Sequence, residues 1–136
     1  MELTAGKVIA IYDTPLGFRH GPKSIINPHT TVIVYLSNNR YTRQYDIDLC
    51  NEILRDNKVQ DLIILTAEAE SQLPSEKQIV LGALAEQSDL ALAFPYIVFA
   101  QIFSFYRSFL TGHTTDNPCP TGEVNRVVQG VTIYPY

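Results

Sequence analysis

Between residues 14 and 24, Thr14-Pro15-Leu16-Gly17-Phe18-Arg19-His20-Gly21-Pro22-Lys23-Ser24 sets a histidine between two cations in a stretch bounded by glycine and proline. A histidine imidazole exchanges protons near neutral pH, which makes His20 a candidate acid or base. Arg19 and Lys23 carry the charge to neutralise an anion or to hold a carboxylate. Residue types alone leave a second reading open, a solvated turn whose charges keep it soluble. Elsewhere there is no Gly-x-Gly-x-x-Gly, no P-loop, no Gly-x-Ser-x-Gly and no His-Glu-x-x-His. His20, His29 and His113 stand at no metal-ligand spacing from one another or from Cys50 and Cys119. Neither a metal nor an organic cofactor is therefore expected.

The elements that must position this segment are read from hydrophobic pattern. Val8-Ile9-Ala10-Ile11-Tyr12 and Thr31-Val32-Ile33-Val34-Tyr35-Leu36 are continuous β-branched runs that suit buried strands. Asp61-Leu62-Ile63-Ile64-Leu65-Thr66 is a third, Gln78-Ile79-Val80-Leu81-Gly82 a candidate fourth, and Val131-Thr132-Ile133-Tyr134 a short terminal one. Tyr45, Leu49 and Ile53, with Cys50 and Leu54 beside them, form one face of an amphipathic helix over 42–55. Pro95 suits the first position of a helix over 95–111, apolar nearly all round, with a polar stripe at Gln101, Ser104 and Ser108. Glu2-Leu3-Thr4-Ala5-Gly6-Lys7 has the pattern of a last helical turn stopped at Gly6. Residues 67–77 fit a loop or a weak helix equally, and 113–125 fit irregular chain.

This order predicts a three-layer α/β sandwich, a mainly parallel sheet flanked by helices. Ligands of such sheets bind beyond the carboxyl ends of the strands, where the 13–27 loop and the Ser37-Asn38-Asn39 turn are both expected. The totals narrow the class further. A net charge of −4 offers no basic face for nucleic acid. The apolar stretch 94–110, interrupted by Gln101, Ser104 and Arg107, reads as a buried core helix, too short and polar for a membrane span. Two widely spaced cysteines and no secretory signal point to the cytoplasm.

Leu16-Gly17-Phe18-Arg19-His20-Gly21-Pro22-Lys23-Ser24 resembles the signature of the tagatose-6-phosphate ketose/aldose isomerases, also described as galactosamine-6-phosphate deaminase/isomerases. These are SIS-domain (sugar isomerase) proteins with a flavodoxin-like fold. The likeness continues in Glu2-Leu3-Thr4-Ala5-Gly6-Lys7, in Tyr41-Thr42-Arg43-Gln44-Tyr45-Asp46 and in Asn125-Arg126-Val127-Val128-Gln129-Gly130-Val131. It implies aldose/ketose isomerisation, plain or deaminating, of tagatose 6-phosphate or galactosamine 6-phosphate in amino-sugar catabolism.

By similarity to the isomerase half of glucosamine-6-phosphate synthase, Glu2 matches the helix-borne base. His20 matches the ring-opening histidine, which in that enzyme comes from the neighbouring subunit. The spacing between them is two residues longer here. Arg19, Lys23 and Arg126 are the implied substrate-binding residues; Arg126 stands in for a lysine, since none follows Lys77. The family's first SIS domain, with its phosphate-binding Ser/Thr loop, has no counterpart in 1–136. The resemblance thus implies a single C-terminal SIS domain, inactive alone, that forms a homo-oligomer or docks to the missing domain. A non-catalytic sugar-phosphate-binding SIS module is the alternative; retention of Glu2 and His20 favours the enzyme.

Overall fold

Runs of β-branched residues pair where a neighbouring backbone offers matching hydrogen bonds, and three of the expected runs find such neighbours. In the computed structural model, which describes residues 8–114, 121–122 and 130–135, β1 (Thr31–Tyr35), β2 (Asp61–Thr66) and β3 (Gln78–Val80) form one parallel sheet in the order β1-β2-β3. Val34 lies opposite Ile64, and Leu65 opposite Ile79. The chain divides into two compact units, 11–97 and 1–10 with 98–136. The sheet and its core belong to the first.

Helix α2 (Arg40–Asp56) crosses from β1 to β2. It starts two residues before the predicted 42 because the Asn39 side chain accepts from the amides of Tyr41 and Thr42, closing the first turn. It stops where Asn57 turns left-handed at φ 48°, its N–H donating to the Ile53 carbonyl. Its buried face is Asp46, Ile47, Leu49, Cys50 and Ile53, with Tyr45 half out and paired through its hydroxyl to Tyr41. This face meets Val34, Leu36, Leu62 and Ile64 from one side of the sheet, with Leu73 closing the cluster. Each fully buried Leu or Ile there contributes about 1.5–3 kcal/mol. Tyr35, pointing to the other side, stacks on Tyr96 of α3 (Asp89–Leu110) at 5.1 Å, and the Tyr96 hydroxyl donates to the Leu36 carbonyl. Sheet faces are thus covered by different helices, the expected α/β layering.

Four expectations are corrected. Residues 8–12 form no strand: Ile9 is 88% and Tyr12 97% exposed, and no described backbone pairs with them. Residues 131–134 are likewise irregular and exposed. Pro95 lies inside α3, which begins at Asp89 after Ser88 has accepted from the Ala91 and Leu92 amides. Good helix formers from 89 to 93 carry the start past the proline.

Finally, α3 is not buried on most sides. Ala100, Ser104 and Ser108 are buried, whereas Phe94, Ile97, Val98, Phe105 and Phe109 are exposed. Its small side chains face inward, and Ser104 meets its own need by donating to the Ala100 carbonyl. Nor is the helix too short and polar for a span: at 22 residues it is long and apolar enough to cross a membrane by length and composition alone, and 17% of its 18-residue apolar window is buried, whereas core helices of soluble proteins that pass the same test are mostly buried. It ends at Gly112, φ 75°, with the Gly112 and His113 amides donating to Phe109 and Ser108.

Candidate functional site

Residues 13–26 fold by local bonds. The Thr14 hydroxyl accepts from the Gly17 amide, Pro15 supplies the preset φ of a first helical residue, and α1 (Pro15–Arg19) makes little more than one turn. The Asp13 carboxylate lies over that turn and accepts from Thr14 N at 2.7 Å. A side chain at residue 17 would meet it at 2.1 Å, so Gly17 is what allows this arrangement. His20 closes α1 with its amide on the Gly17 carbonyl, and Pro22 opens a 3₁₀ turn (Pro22–Ile25).

Arg19 and Lys23 meet α2. Arg19 Nε donates to Glu52 Oε2 at 2.8 Å, Lys23 Nζ donates to Glu52 Oε1, and Lys23 Nζ lies 2.7 Å from Asp56 Oδ2. The hydrogen bond from Lys23 holds both carboxyls below their usual range, and Asp56 and then Glu52 raise the Lys23 ammonium above its own. Lys23 is therefore already neutralised within the chain, whereas the two Nη groups of Arg19 make no hydrogen bond among the described residues. His20 is exposed, and its ring makes none either. The cleft beside Lys23, lined also by Ile26, Ile53 and Asp56, holds ≈ 110 Å³, well under the roughly 300–1,000 Å³ of small-molecule sites.

The location of this segment corrects the expectation that it lies at the carboxyl edge of the sheet. Asn39 caps α2 at that edge, and Glu52 is thirteen residues further on. At about 1.5 Å per residue the Arg19–Glu52–Lys23 cluster is roughly 20 Å away, toward the amino ends of the strands.

The carboxyl edge is occupied by internal bonds. Arg43 donates to the carbonyls of Ser37 and Glu68, to Thr66 Oγ1 and to Glu70 Oε2, which ties the ends of β1 and β2 together. Asp46, 4% exposed, accepts from the Ser37 amide; burial raises its carboxyl, and the Ser37 N–H opposes that rise. The Ser37 hydroxyl and Asn38 amide donate to Asp89, and Asn38 Nδ2 donates to the carbonyls of Leu84, Ala85 and Gln87. The open cleft here, ≈ 420 Å³, is lined by Asp89 and by no cation, a poor match for a phosphate.

Glu2 and Arg126 lie outside the described residues, as does Cys119. Cys50 is buried and its thiol is pushed up to about 12 by desolvation and then by Asp46, which makes it inert. Among the described residues no group of three or more His, Cys, Asp or Glu could hold a metal ion. The partners that sequence reading missed are Glu52 and Asp56. Their signal was an acidic pair at i, i+4 on the predicted helix, one helical face able to take two cations.

No family model matches the chain. It is 45% identical over 136 residues, all of its length, to an Escherichia coli protein named D-galactosamine-6-phosphate deaminase AgaS, of which it covers 35%. It is 43% identical over the same span to the Shewanella sp. (strain ANA-3) protein of that name, covering 32%. Its fold matches the crystal structure of tagatose-6-phosphate ketose/aldose isomerase from Escherichia coli with a TM-score of 0.82 and 40% identity, over 99% of this chain and 34% of that one. A Clostridium novyi NT structure assigned the same activity matches at 0.87 and 41%, over 99% and 36%. The chain therefore spans about a third of the length of the curated relatives it matches, and the resemblance carried by residues 16–24 extends in sequence and fold along nearly all of it.

Proposed function

We propose that this chain, homologous to one third of the D-galactosamine-6-phosphate deaminases and tagatose-6-phosphate ketose/aldose isomerases, is the C-terminal SIS domain of a cytoplasmic enzyme of that kind. The observation that carries the proposal is the 45% identity, over all 136 residues, to a protein named as a deaminase.

The substrate is a sugar 6-phosphate, galactosamine 6-phosphate in the deaminating reaction. His20 protonates the ring oxygen as the pyranose opens to the aldehyde. Glu2, as carboxylate, removes the C2 proton, giving an enolamine, and returns a proton to C1. The resulting imine at C2 takes up water and releases ammonia, leaving the ketose 6-phosphate. With a hydroxyl at C2 the same transfers interconvert aldose and ketose. Arg19, through the two Nη groups that make no hydrogen bond among the described residues, and Arg126 hold the substrate, while Lys23 holds the segment.

The exposure of His20, the small size of the cleft beside Lys23 and the segment's distance from the carboxyl edge support a site completed by a second SIS domain or a neighbouring subunit. The test is ammonia release from galactosamine 6-phosphate by the chain alone and by the Escherichia coli deaminase with its matching third replaced by this chain. The expected outcome is activity in the chimera, its loss with Glu2→Gln, and none in the chain alone. Turnover by the isolated chain at enzymatic rates, or an inactive but folded chimera, would sink the proposal.

A further inference from the structure

We infer that Glu52 is a positioning residue for His20, acting from α2 on the cations that flank the histidine. The inference rests on the function just proposed for His20. Its physical basis is how little else holds the segment. Neither α1 nor the 3₁₀ turn after it contains a buried residue, and their backbone hydrogen bonds run from one residue of 14–26 to another. Helical pieces of five and four residues have no stability of their own. Phe18 packs against the core cluster and the partly buried Ile26 lines a cleft with Ile53, two apolar contacts about which the segment could still turn.

The remaining attachments are ionic, and they converge on one side chain. Glu52 takes Arg19 on Oε2 and Lys23 on Oε1, with Asp56, one turn further along α2, as second acceptor for Lys23. Arg19 precedes His20 in α1, and Lys23 belongs to the 3₁₀ turn beyond Gly21. One carboxylate thus bridges the two pieces across the break at His20 and Gly21. It sets the angle between them, and with it the direction of an imidazole that has no hydrogen bond of its own among the described residues. An isolated exposed ion pair does little of this kind. Here a single acceptor with both oxygens used removes two degrees of freedom at once.

Two measurements test it. In the chain alone, Glu52→Gln should speed amide hydrogen exchange of residues 15–25 while β1 and β2 keep their protection, and Asp48→Asn on the same helix should change neither. In the chimera, E52Q should lower kcat about 10²-fold, the loss expected for a reacting group displaced by an ångström, with KM within about twofold, and Glu52→Asp should recover part of it. Unchanged exchange in E52Q, an equal loss of kcat in D48N, or a loss confined to KM would overturn the inference. A chimera inactive with the unsubstituted chain would count against the proposed function, and the exchange data would still decide what Glu52 does.

Discussion

At the residue scale the ion pairs around His20 have a defined pH window. Glu52 and Asp56 have carboxyls lowered by Lys23, so their contribution is present above the unfolded carboxylate value of ~4 and is lost as pH falls through the depressed folded values. Lys23 is raised, so its contribution is present below ~10.4 and is lost as pH rises through the higher folded value. Wild type and E52Q should therefore differ most in urea midpoint near neutral pH and converge on acidification below the carboxylate range. A difference that stays constant from pH 7 to pH 3 would show that Glu52 acts by packing and not by charge. Asp46 has the opposite sign, since burial raises its carboxyl. The Ser37 amide, which donates to it at 2.9 Å, works against that rise.

At the element scale, α2 links the two edges of the sheet. Its first turn hangs on Asn39, whose side chain accepts from two amides, and its last turns carry Glu52 and Asp56. Asn39→Ala should cost about 0.5–2 kcal/mol by urea denaturation, the range for a lost N-cap, and Asn39→Asp or Ser should restore most of it. No effect of N39A would mean that the Arg43 network, which also joins the ends of β1 and β2, holds the helix start unaided.

At the scale of the whole molecule, the apolar side chains of α3 are the main liability. Leu90, Phe94, Ile97, Val98, Phe105 and Phe109 are each about half exposed or more, and Ile9, Ile11 and Tyr12 are exposed as well. An apolar helix face of the kind α3 presents seeks a partner. The isolated chain is expected to self-associate in size-exclusion chromatography with light scattering, and Phe94→Ser with Phe109→Ser should shift it toward the monomer with an unchanged far-UV spectrum. A chain that is monomeric at all concentrations would show this surface to be covered within the molecule.

The strands β1 and β2 and the helix α2 were legible because burial leaves a local pattern, continuous apolar runs for strands covered on both faces and a 3.6-residue period for the helix. The His20 segment stood out from its glycines, prolines and charges, and the chemistry proposed for it comes from the resemblance that those residues carry. Local pattern says which residues want cover, not what covers them. Residues 8–12 have the composition of a strand, yet no described neighbour pairs with them. In α3 the serines that read as a polar stripe are the buried side chains, because small residues allow close approach whatever their polarity. Arg19 and Lys23 looked free for an anion until α2 brought Glu52 to them, 33 and 29 residues away in sequence. Sequence alone determined the cores of β1, β2 and α2 and singled out His20 as the histidine set between two cations. Only the tertiary structure decided where that histidine stands and which charges beside it are already matched, because both depend on where the crossover delivers the far end of α2.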